Sequence, residues 1–327
     1  MVKRELPPKK AIEARRHGIG EWFGHSFVRL TADQRQSFAL ESAKKRPTLE
    51  CPFRASCLRF DPRAVPGKGT NCTKAGGVCS LREYRKIRIG HHVTVEAAGS
   101  LRTTCPYRFL QDGAIFMWIG GEILGHSSPL VVREIEFLEA RGATTAEAKE
   151  VGYIDNVLVH PTRHPIHWCA LEIQAVYFSG ASMGPEFAAL RDDRSALPFP
   201  VADRHPDYRS SGPKRLMPQL QIKVPALRRW GKKMSVLVDE DFFSSLGGMD
   251  DVPDVSNCDI AWFAVRYDES AGDAVLKPAF RRFTTLERAV EGLTGGRSVS
   301  LERFEETIGR RLLRQYPAQA PRLGLGR

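Results

Sequence analysis

The stretch YIDNVLVHPTRHPIHWCALEIQAVYF, residues 153–178, carries the strongest strand pattern in this chain of 327 residues. Residues 153–159 and 168–178 alternate apolar and polar side chains and are rich in β-branched and aromatic types, as strands are. Pro161 and Pro165 lie in the short link between the two runs, which favours an antiparallel hairpin. Similar runs predict strands at 133–140, 234–239 and 258–267, and amphipathic helices at 286–293 and 301–316. The predicted class is therefore α/β, with a long surface loop over residues 185–213.

Two carboxylates of this stretch are predicted to meet across the hairpin. Side chains two residues apart in a strand share a face, so Glu172 and Gln174 are expected on one face. Pairing of the strands brings Asp155 opposite or diagonal to Glu172. Carboxylates this close repel unless a cation lies between them, and oxygen ligands favour Mg²⁺. The pattern indicates a magnesium site for phosphodiester hydrolysis, the alternative being polar residues on a solvent-facing strand.

Five of the seven cysteines fall within residues 51–105, a segment of little periodic pattern. The N-terminus has no apolar segment typical of an export signal, so a reducing compartment is expected, where clustered thiols indicate a metal site. Cys51 and Cys105 both precede a proline, which leaves Cys57 as the odd one among the five. Spacing alone does not separate zinc from iron. The other two, Cys169 and Cys258, are predicted to be buried apolar residues.

The charge balance favours a polyanionic partner. Lys and Arg number 49 against 38 Asp and Glu, a net charge of +11. No apolar run approaches the roughly 20 residues that cross a bilayer, so no membrane partner is expected. Residues 209–233 contain eight basic residues and no acid, which suits phosphate contacts, although a solvated face is the plain alternative. The candidate DNA-binding residues in this run are Lys214, Arg215, Lys223, Arg228 and Arg229.

Several motifs, in order along the chain, resemble one family. They are EWFGHSF (21–27), CPF (51–53), NCTKAGGVC (71–79), CPYRFL (105–110), IDNVLV (154–159) and LEIQAVYFSG (171–180), and then KRLMPQLQIKV followed by MSVLVD. With these motifs the chain resembles the NotI-type type II restriction endonucleases, which carry a four-cysteine metal motif ahead of a PD-(D/E)XK nuclease core. The C-terminal tail and the segment 185–213 are not anchored by the resemblance.

The resemblance implies roles for individual residues. Cys51, Cys72, Cys79 and Cys105 would bind a structural metal, iron in that family, and Cys57 has no counterpart. Asp155 and Glu172 would bind the catalytic Mg²⁺, with Gln174 standing where most of the wider superfamily has Lys. The family has a further active-site glutamate on the preceding strand, for which Glu134 is the best match and Glu150 the alternative.

A glutamine in place of lysine has a chemical consequence. Lys at that position can donate charge to the phosphate or lower the pKa of the attacking water, whereas a neutral amide can only orient its partners. The metal would then carry more of the activation, unless Lys223 or another cation reaches the site.

Together these observations predict an α/β restriction-endonuclease-like core, a mixed sheet flanked by helices, behind an N-terminal four-cysteine metal-binding region. The expected divisions are 1–115 for the arm and cysteine region, 116–290 for the nuclease core, and 291–327 for the C-terminal helix and tail. The expected function is Mg²⁺-dependent cleavage of double-stranded DNA at a GC-rich palindrome, giving 5′-phosphate and 3′-hydroxyl ends. A homodimer, a cognate DNA methyltransferase in the same system and a bacterial cytoplasmic location are also expected.

Two other classes of protein fit parts of the sequence. A non-catalytic DNA-binding protein with a four-cysteine module would leave Asp155 and Glu172 as surface residues. An intracellular redox or iron–sulfur protein would use the cysteines for a cluster, which requires inorganic sulfide.

Overall fold

The computed structural model describes residues 10–57, 60, 69–139, 150–295 and 299–316. Within these ranges no helix combines the length and apolar character that crossing a membrane requires.

The N-terminal part of the chain forms a four-stranded antiparallel sheet. Its strands are β1 (Lys10–Trp22), β2 (His25–Ser26), β3 (Val78–Ile89) and β4 (His92–Thr103), in the order β2-β1-β3-β4. Two helices, α1 (Ala32–Ser42) and α2 (Pro52–Ala55), lie between β2 and β3 along the chain. Helix α1 lies within residues 1–115, the predicted arm and cysteine region. Residues 10–22, in the same predicted region, form the long strand β1.

The strands β3 and β4 were not predicted, because residues 51–105 show little periodic alternation of apolar and polar residues. In β4 only Leu101 and Thr103 are buried, so most of its alternating residues give no signal of an apolar face. The sheet carries an apolar cluster that includes Ile19, Leu81 and Tyr84. Trp22 belongs to the same cluster and is fully buried. Strand pairing, more than apolar burial, therefore holds much of β4 in place, whereas most of β3 is buried.

The second sheet has six strands in the order β12-β11-β10-β7-β6-β5. Strands β7, β10 and β11 run parallel, and the remaining pairs are antiparallel, which confirms the predicted mixed α/β architecture. After β4 the chain continues through α3 (Ala114–Ile119), β5 (Leu130–Glu139), β6 (Glu150–Val159), β7 (Trp168–Ile173), β8 (Phe178–Gly180), α4 (Gly184–Leu190), β9 (Arg204–Pro206), α5 (Tyr208–Ser211), α6 (Met217–Arg229), β10 (Met234–Asp239), α7 (Glu240–Ser245), β11 (Ile260–Asp268), β12 (Val275–Thr284), α8 (Leu286–Thr294) and α9 (Leu301–Gln315).

Helices cover both faces of this sheet. On one face Leu220 and Val224 of α6 pack with Trp262 of β11 in a single apolar cluster. On the other face Phe116 of α3 packs with Phe263 of β11. Cys169 and Cys258 are 1% and 2% exposed in that second cluster, as predicted for buried apolar residues.

Two features depart from the predicted pattern beyond β6. The predicted strand at 168–178 ends at Ile173, and residues 174–177 lie outside regular structure. The predicted loop at 185–213 contains α4, β9 and α5. A buried ion pair organises this segment, because Arg204 of β9 donates to Glu186 of α4 over 2.9 Å with both side chains almost fully enclosed.

A buried arginine joins the two sheets. Arg108 Nε donates to both carboxylate oxygens of Glu21 in β1 at 2.9 Å, and its Nη2 donates to the carbonyl of Ala274, next to β12, at 2.6 Å. Arg108 and Glu21 are both 0% exposed. Thr103, at the end of β4, reinforces the junction, since its carbonyl accepts the backbone N–H of Val176 at 2.7 Å.

Candidate active site on the mixed sheet

Two carboxylates are brought together where β6 and β7 pair. The antiparallel register places Asn156 opposite Leu171, and its continuation places Asp155 beside Glu172. The charge of Asp155 acts directly on the carboxyl group of Glu172. This is the hairpin arrangement expected from residues 153–178.

Helix α6 supplies a lysine to the same place. Leu220, Val224 and Leu227 recur at helical spacing and bury α6 against the sheet, and this spacing turns Lys223 inward with them. Its Nζ lies 2.7 Å from Oε2 of Glu172 and 3.8 Å from Oδ1 of Asp155. Gln219, one turn earlier, accepts a second hydrogen bond from the ammonium group at 2.8 Å.

The environments of the two carboxylates differ. The Glu172 side chain is 4% exposed, whereas that of Asp155 is 51% exposed. Burial and, after it, the nearby charge of Asp155 raise the pKa of Glu172 to about 7 against the opposing effect of Lys223. The site therefore holds one carboxylate in contact with solvent and one whose charge depends on a neighbouring cation.

The donor set suits a hard divalent cation. Asp155 and Glu172 offer adjacent carboxylate oxygens, the ligand type that Mg²⁺ prefers, and a second cation would favour the ionised form of Glu172. Lys223 supplies the neutralising positive charge in the structure described here. A divalent ion bound to Glu172 would share that carboxylate with the ammonium group.

Gln174 lies just beyond the end of β7. Its backbone N–H donates to Leu237 at 3.0 Å, and its side-chain amide donates to the carbonyl of Ala175 at 2.6 Å. The expectation that Gln174 continues the strand face of Glu172 rested on a strand through residue 178, whereas β7 ends at Ile173. Lys223 is instead the residue that contacts Glu172. Its inward position could have been found from the spacing of Leu220, Val224 and Leu227.

Glu134 lies on β5, beside the strand that carries Asp155. Arg133 pairs with Asn156 and Ile135 with Ile154, so Glu134 comes next to Asp155 across the two strands. Glu134 is exposed and has a φ of +54°, a left-handed conformation that is uncommon for a residue with a side chain. The alternative, Glu150, begins β6, and its side chain is outside the described residues.

The four cysteines proposed as ligands gather at one end of the N-terminal sheet. Cys51 donates its N–H to the carbonyl of Thr70, and Cys72 donates its N–H to the carbonyl of Leu49. These backbone hydrogen bonds join the two segments that contain the cysteines. Cys105 follows β4 and donates its N–H to the carbonyl of Cys79 in β3 at 3.2 Å. Gly76 and Gly77 both have positive φ, at 75° and 69°, and turn the chain between Cys72 and Cys79.

These four thiols are buried and sense one another. Burial raises the pKa of every one of them, to about 11 for Cys105, and charge on other cysteines adds to the effect at Cys72, Cys79 and Cys105. Buried thiols of this kind need a cation to become thiolates, which fits a soft metal ion. Yet in the parts of the chain that the structure describes, no three His, Cys, Asp or Glu side chains have the arrangement of a ligand set. Cys57 packs elsewhere, with Phe60 and Phe116.

The remaining basic candidates occupy the two ends of α6. Lys214 and Arg215 are exposed just before it, and the guanidinium of Arg215 lies 4.4 Å from the ring centroid of Tyr177. At the far end Arg229 is exposed, while Arg228 forms ion pairs with Asp259 at 2.5 Å and Glu287 at 3.2 Å. Lys223, at 5% exposure, is separated from this surface set.

The mixed sheet flanked by helices, with paired carboxylates beside a buried lysine, is consistent with a nuclease core. The model of the family described as restriction endonuclease NotI matches residues 36–277 of this chain. The chain therefore belongs to the NotI restriction endonuclease family, which makes it a nuclease that binds DNA. A search of curated proteins returned no match.

Proposed function

We propose that this protein is a type II restriction endonuclease that hydrolyses double-stranded DNA with Mg²⁺ held by Asp155 and Glu172. The observation that carries the proposal is the meeting of these two carboxylates with Lys223, 2.7 Å from Glu172. Family membership over residues 36–277 supports the reaction class. When bound, the ion would activate water and stabilise charge on the phosphodiester.

In this proposal Lys223 replaces the lysine that the strand lacks. It enters from α6, and its ammonium group favours the ionised form of Glu172 against the effect of burial. The ammonium group of Lys223, a point charge on a flexible stem, would also supply positive charge to the scissile phosphate. Gln174, with its amide directed to Ala175, and Glu134, next to Asp155 on the neighbouring strand, would orient water or substrate.

The exposed basic residues suggest how DNA is held. Helix α6 has 13 residues and is about 20 Å long, so its two ends contact different parts of a duplex. Lys214 and Arg215, near the chain segment that follows Glu172, are proposed to bind phosphates beside the cut. Arg229 is proposed to bind a more distant phosphate. Arg228 contributes less, because Asp259 and Glu287 already neutralise it.

We further propose that Cys51, Cys72, Cys79 and Cys105 hold one structural metal ion, iron by family resemblance or zinc. Their burial and their mutual influence on pKa support this set over any that includes Cys57, which packs in another cluster. The enzyme is proposed to act as a homodimer on a GC-rich palindrome in the bacterial cytoplasm, protected by a cognate methyltransferase.

A digest of DNA of known sequence tests the proposal. Purified protein with Mg²⁺ should produce discrete fragments whose ends carry 5′-phosphate and 3′-hydroxyl groups and map to one short GC-rich palindrome. EDTA should abolish cleavage and leave DNA binding in place. Binding without cleavage, across DNA of diverse sequence and with Mg²⁺ present, would contradict the nuclease proposal.

A further inference from the structure

The C-terminal helix α9 exposes its apolar side. Leu301, Phe304 and Ile308 are 69%, 56% and 43% exposed, and Leu313 is 42% exposed. Gly309 alone is buried among the residues of this helix. Large apolar side chains exposed together on one helix indicate an interaction surface. The matched family region ends at residue 277, so this helix lies outside it.

The apolar residues form one ridge. Phe304, Ile308 and Leu312 follow one another at intervals of four residues, and such residues lie on the same helix face. Ridges of this kind pack against the same ridge on a second helix. Ile308 is the middle residue of α9, which spans Leu301–Gln315, so the ridge extends equally on both sides of it.

Charge is separated along the same helix. Glu302, Arg303, Glu305 and Glu306 give the first half a net charge of −2, from three acids and one base, and Arg310, Arg311 and Arg314 give the second half +3. Among the residues that the structure covers, none of the three glutamates forms an ion pair. Two copies packed antiparallel place each acidic half beside a basic half, whereas a parallel pair places like charges together.

We infer that α9 is a docking surface for a second copy of this chain, with two α9 helices antiparallel and a twofold axis at Ile308. In this arrangement Ile308 faces Ile308 of the other copy, and Phe304 faces its Leu312. The inference rests on α9 and is independent of the proposed chemistry at Asp155 and Glu172.

The size of the surface sets the expected strength. A 15-residue helix is about 22 Å long, and one helix pair falls at the low end of interface areas, below roughly 1,200 Å² in total. Association of the DNA-free protein is therefore expected in the micromolar range, and it should weaken as salt screens the opposed charges.

Cysteine cross-linking of the full chain tests the register. Under mild oxidation with copper–phenanthroline, Ile308→Cys is expected to form a covalent dimer by itself. Phe304→Cys should cross-link efficiently only when mixed with Leu312→Cys. A matched control is Ile222→Cys on α6, since Ile222 is also an exposed isoleucine, at 56%. A monomeric Ile308→Cys protein, or self-linking of Phe304→Cys as strong as the mixed reaction, would overturn the antiparallel pair.

Charge reversal tests the electrostatic part in solution. Sedimentation should show weaker self-association both for the variant with Glu302, Glu305 and Glu306 changed to Arg and for the variant with Arg310, Arg311 and Arg314 changed to Glu. An equimolar mixture of the two should form a heterodimer, which also shows that both fold. Glu291→Arg, on the exposed surface of α8, is the control and should associate like the unmodified chain.

Two results would overturn the inference. One is unchanged self-association of both triple variants, and the other is an unmodified chain that stays monomeric at 100 times the expected micromolar range. The latter result would indicate that the apolar side of α9 is covered by the chain's own residues.

Discussion

Nζ of Lys223 on α6 lies 2.7 Å from Oε2 of Glu172 on β7, and both side chains are buried. Two residues 51 positions apart in the sequence, one on a helix and one on a strand, thus form an ion pair at the proposed active site. The pair makes the charge state of Glu172 depend on the lysine, and the lysine is 3.8 Å from the more exposed Asp155. The behaviour of the site upon mutation, titration and metal addition follows from this arrangement.

Replacing the lysine should impair both stability and cleavage. In Lys223→Met the carboxylate of Glu172 loses its cation, so its pKa rises further and ionisation costs more free energy. We expect roughly a 100-fold loss of cleavage rate and a loss of about 3 kcal/mol in the free energy of unfolding at pH 8. The stability loss should shrink at pH 5, where Glu172 is protonated in either protein.

Single-turnover cleavage and urea unfolding at the two pH values measure these effects. The control is Lys45→Met, which removes an exposed lysine outside the proposed DNA-binding set. Cleavage by Lys223→Met at the unmodified rate would exclude Lys223 from the reaction.

Removing Asp155 should separate chemistry from binding. Asp155→Ala deletes a half-exposed carboxylate with little cost to the core, so we expect loss of detectable cleavage with DNA affinity within about threefold of the unmodified protein. Cleavage assays paired with gel-shift titration in Ca²⁺ measure the two properties. Asp192→Ala, an exposed carboxylate in the segment after α4, is the control. Residual cleavage by Asp155→Ala would remove this residue from the metal site.

The raised pKa of Glu172 gives the free energy of unfolding a specific pH dependence. Its pKa is about 7 in the folded protein against 4.5 for an ordinary glutamate, so the folded state holds the proton more tightly. The stabilisation is full below pH 4.5 and is lost as pH rises through 7, a change on the order of 3 kcal/mol without metal. Urea unfolding in EDTA, comparing the unmodified protein with Glu172→Gln, isolates this contribution. Equal pH slopes for the two proteins would show that Glu172 is ionised throughout.

Glu134 should be removable at no cost in stability. Its φ of +54° is unfavourable by roughly 1 kcal/mol for a residue with a side chain, and glycine carries no such penalty. Glu134→Gly is therefore expected to unfold at an equal or higher urea concentration while cleaving DNA at least 10-fold more slowly. Glu136→Gly on the same strand is the comparison, since Glu136 is outside the proposed site. A Glu134→Gly enzyme with unmodified cleavage would assign the further glutamate elsewhere, with Glu150 as the next variant to test.

The four proposed cysteine ligands should differ from Cys57 in metal content. Cys72→Ser is expected to lose most of the bound iron or zinc and to lower the unfolding temperature, because a structural metal contributes directly to folding. Cys57→Ser should keep the metal and show only the small effect of a core polar substitution. Elemental analysis and thermal unfolding of the full chain provide both measurements. Equal metal content in the two variants would remove Cys72 from the ligand set.

Much of the fold could be predicted from residues 153–178 and 234–267, because strands in a sheet with both faces covered leave dense apolar patterns. The hairpin of β6 and β7 and the meeting of Asp155 with Glu172 followed from strand alternation and a short link. Strand β4 was missed because many of its residues are exposed. Strands β1 and β3 were missed because hydrogen bonding between distant strands leaves no local signal. The helix α4 was missed because the buried pair Glu186–Arg204 forms across the chain.

The role of Lys223 could be predicted only in part. A basic run over residues 209–233 predicts an exposed phosphate-binding face, and that pattern does not distinguish the one lysine turned inward. Its direction depends on which side of α6 packs on the sheet, which Leu220 and Val224 determine. Gln174 was placed on the face of Glu172 by a two-residue period that stops applying where β7 ends.

The buried contact of Arg108 with Glu21 and Ala274 couples the thermal unfolding of the two sheets. Arg108 lies three residues after Cys105, so the segment that anchors one thiol also ties the first sheet to the second. A ligand that binds only the folded protein stabilises every element that unfolds together with its site. Occupancy at the thiols would then raise the melting temperature of the sheet that carries Glu172, and a chain divided at residue 115 would leave Arg108 without its carbonyl partner.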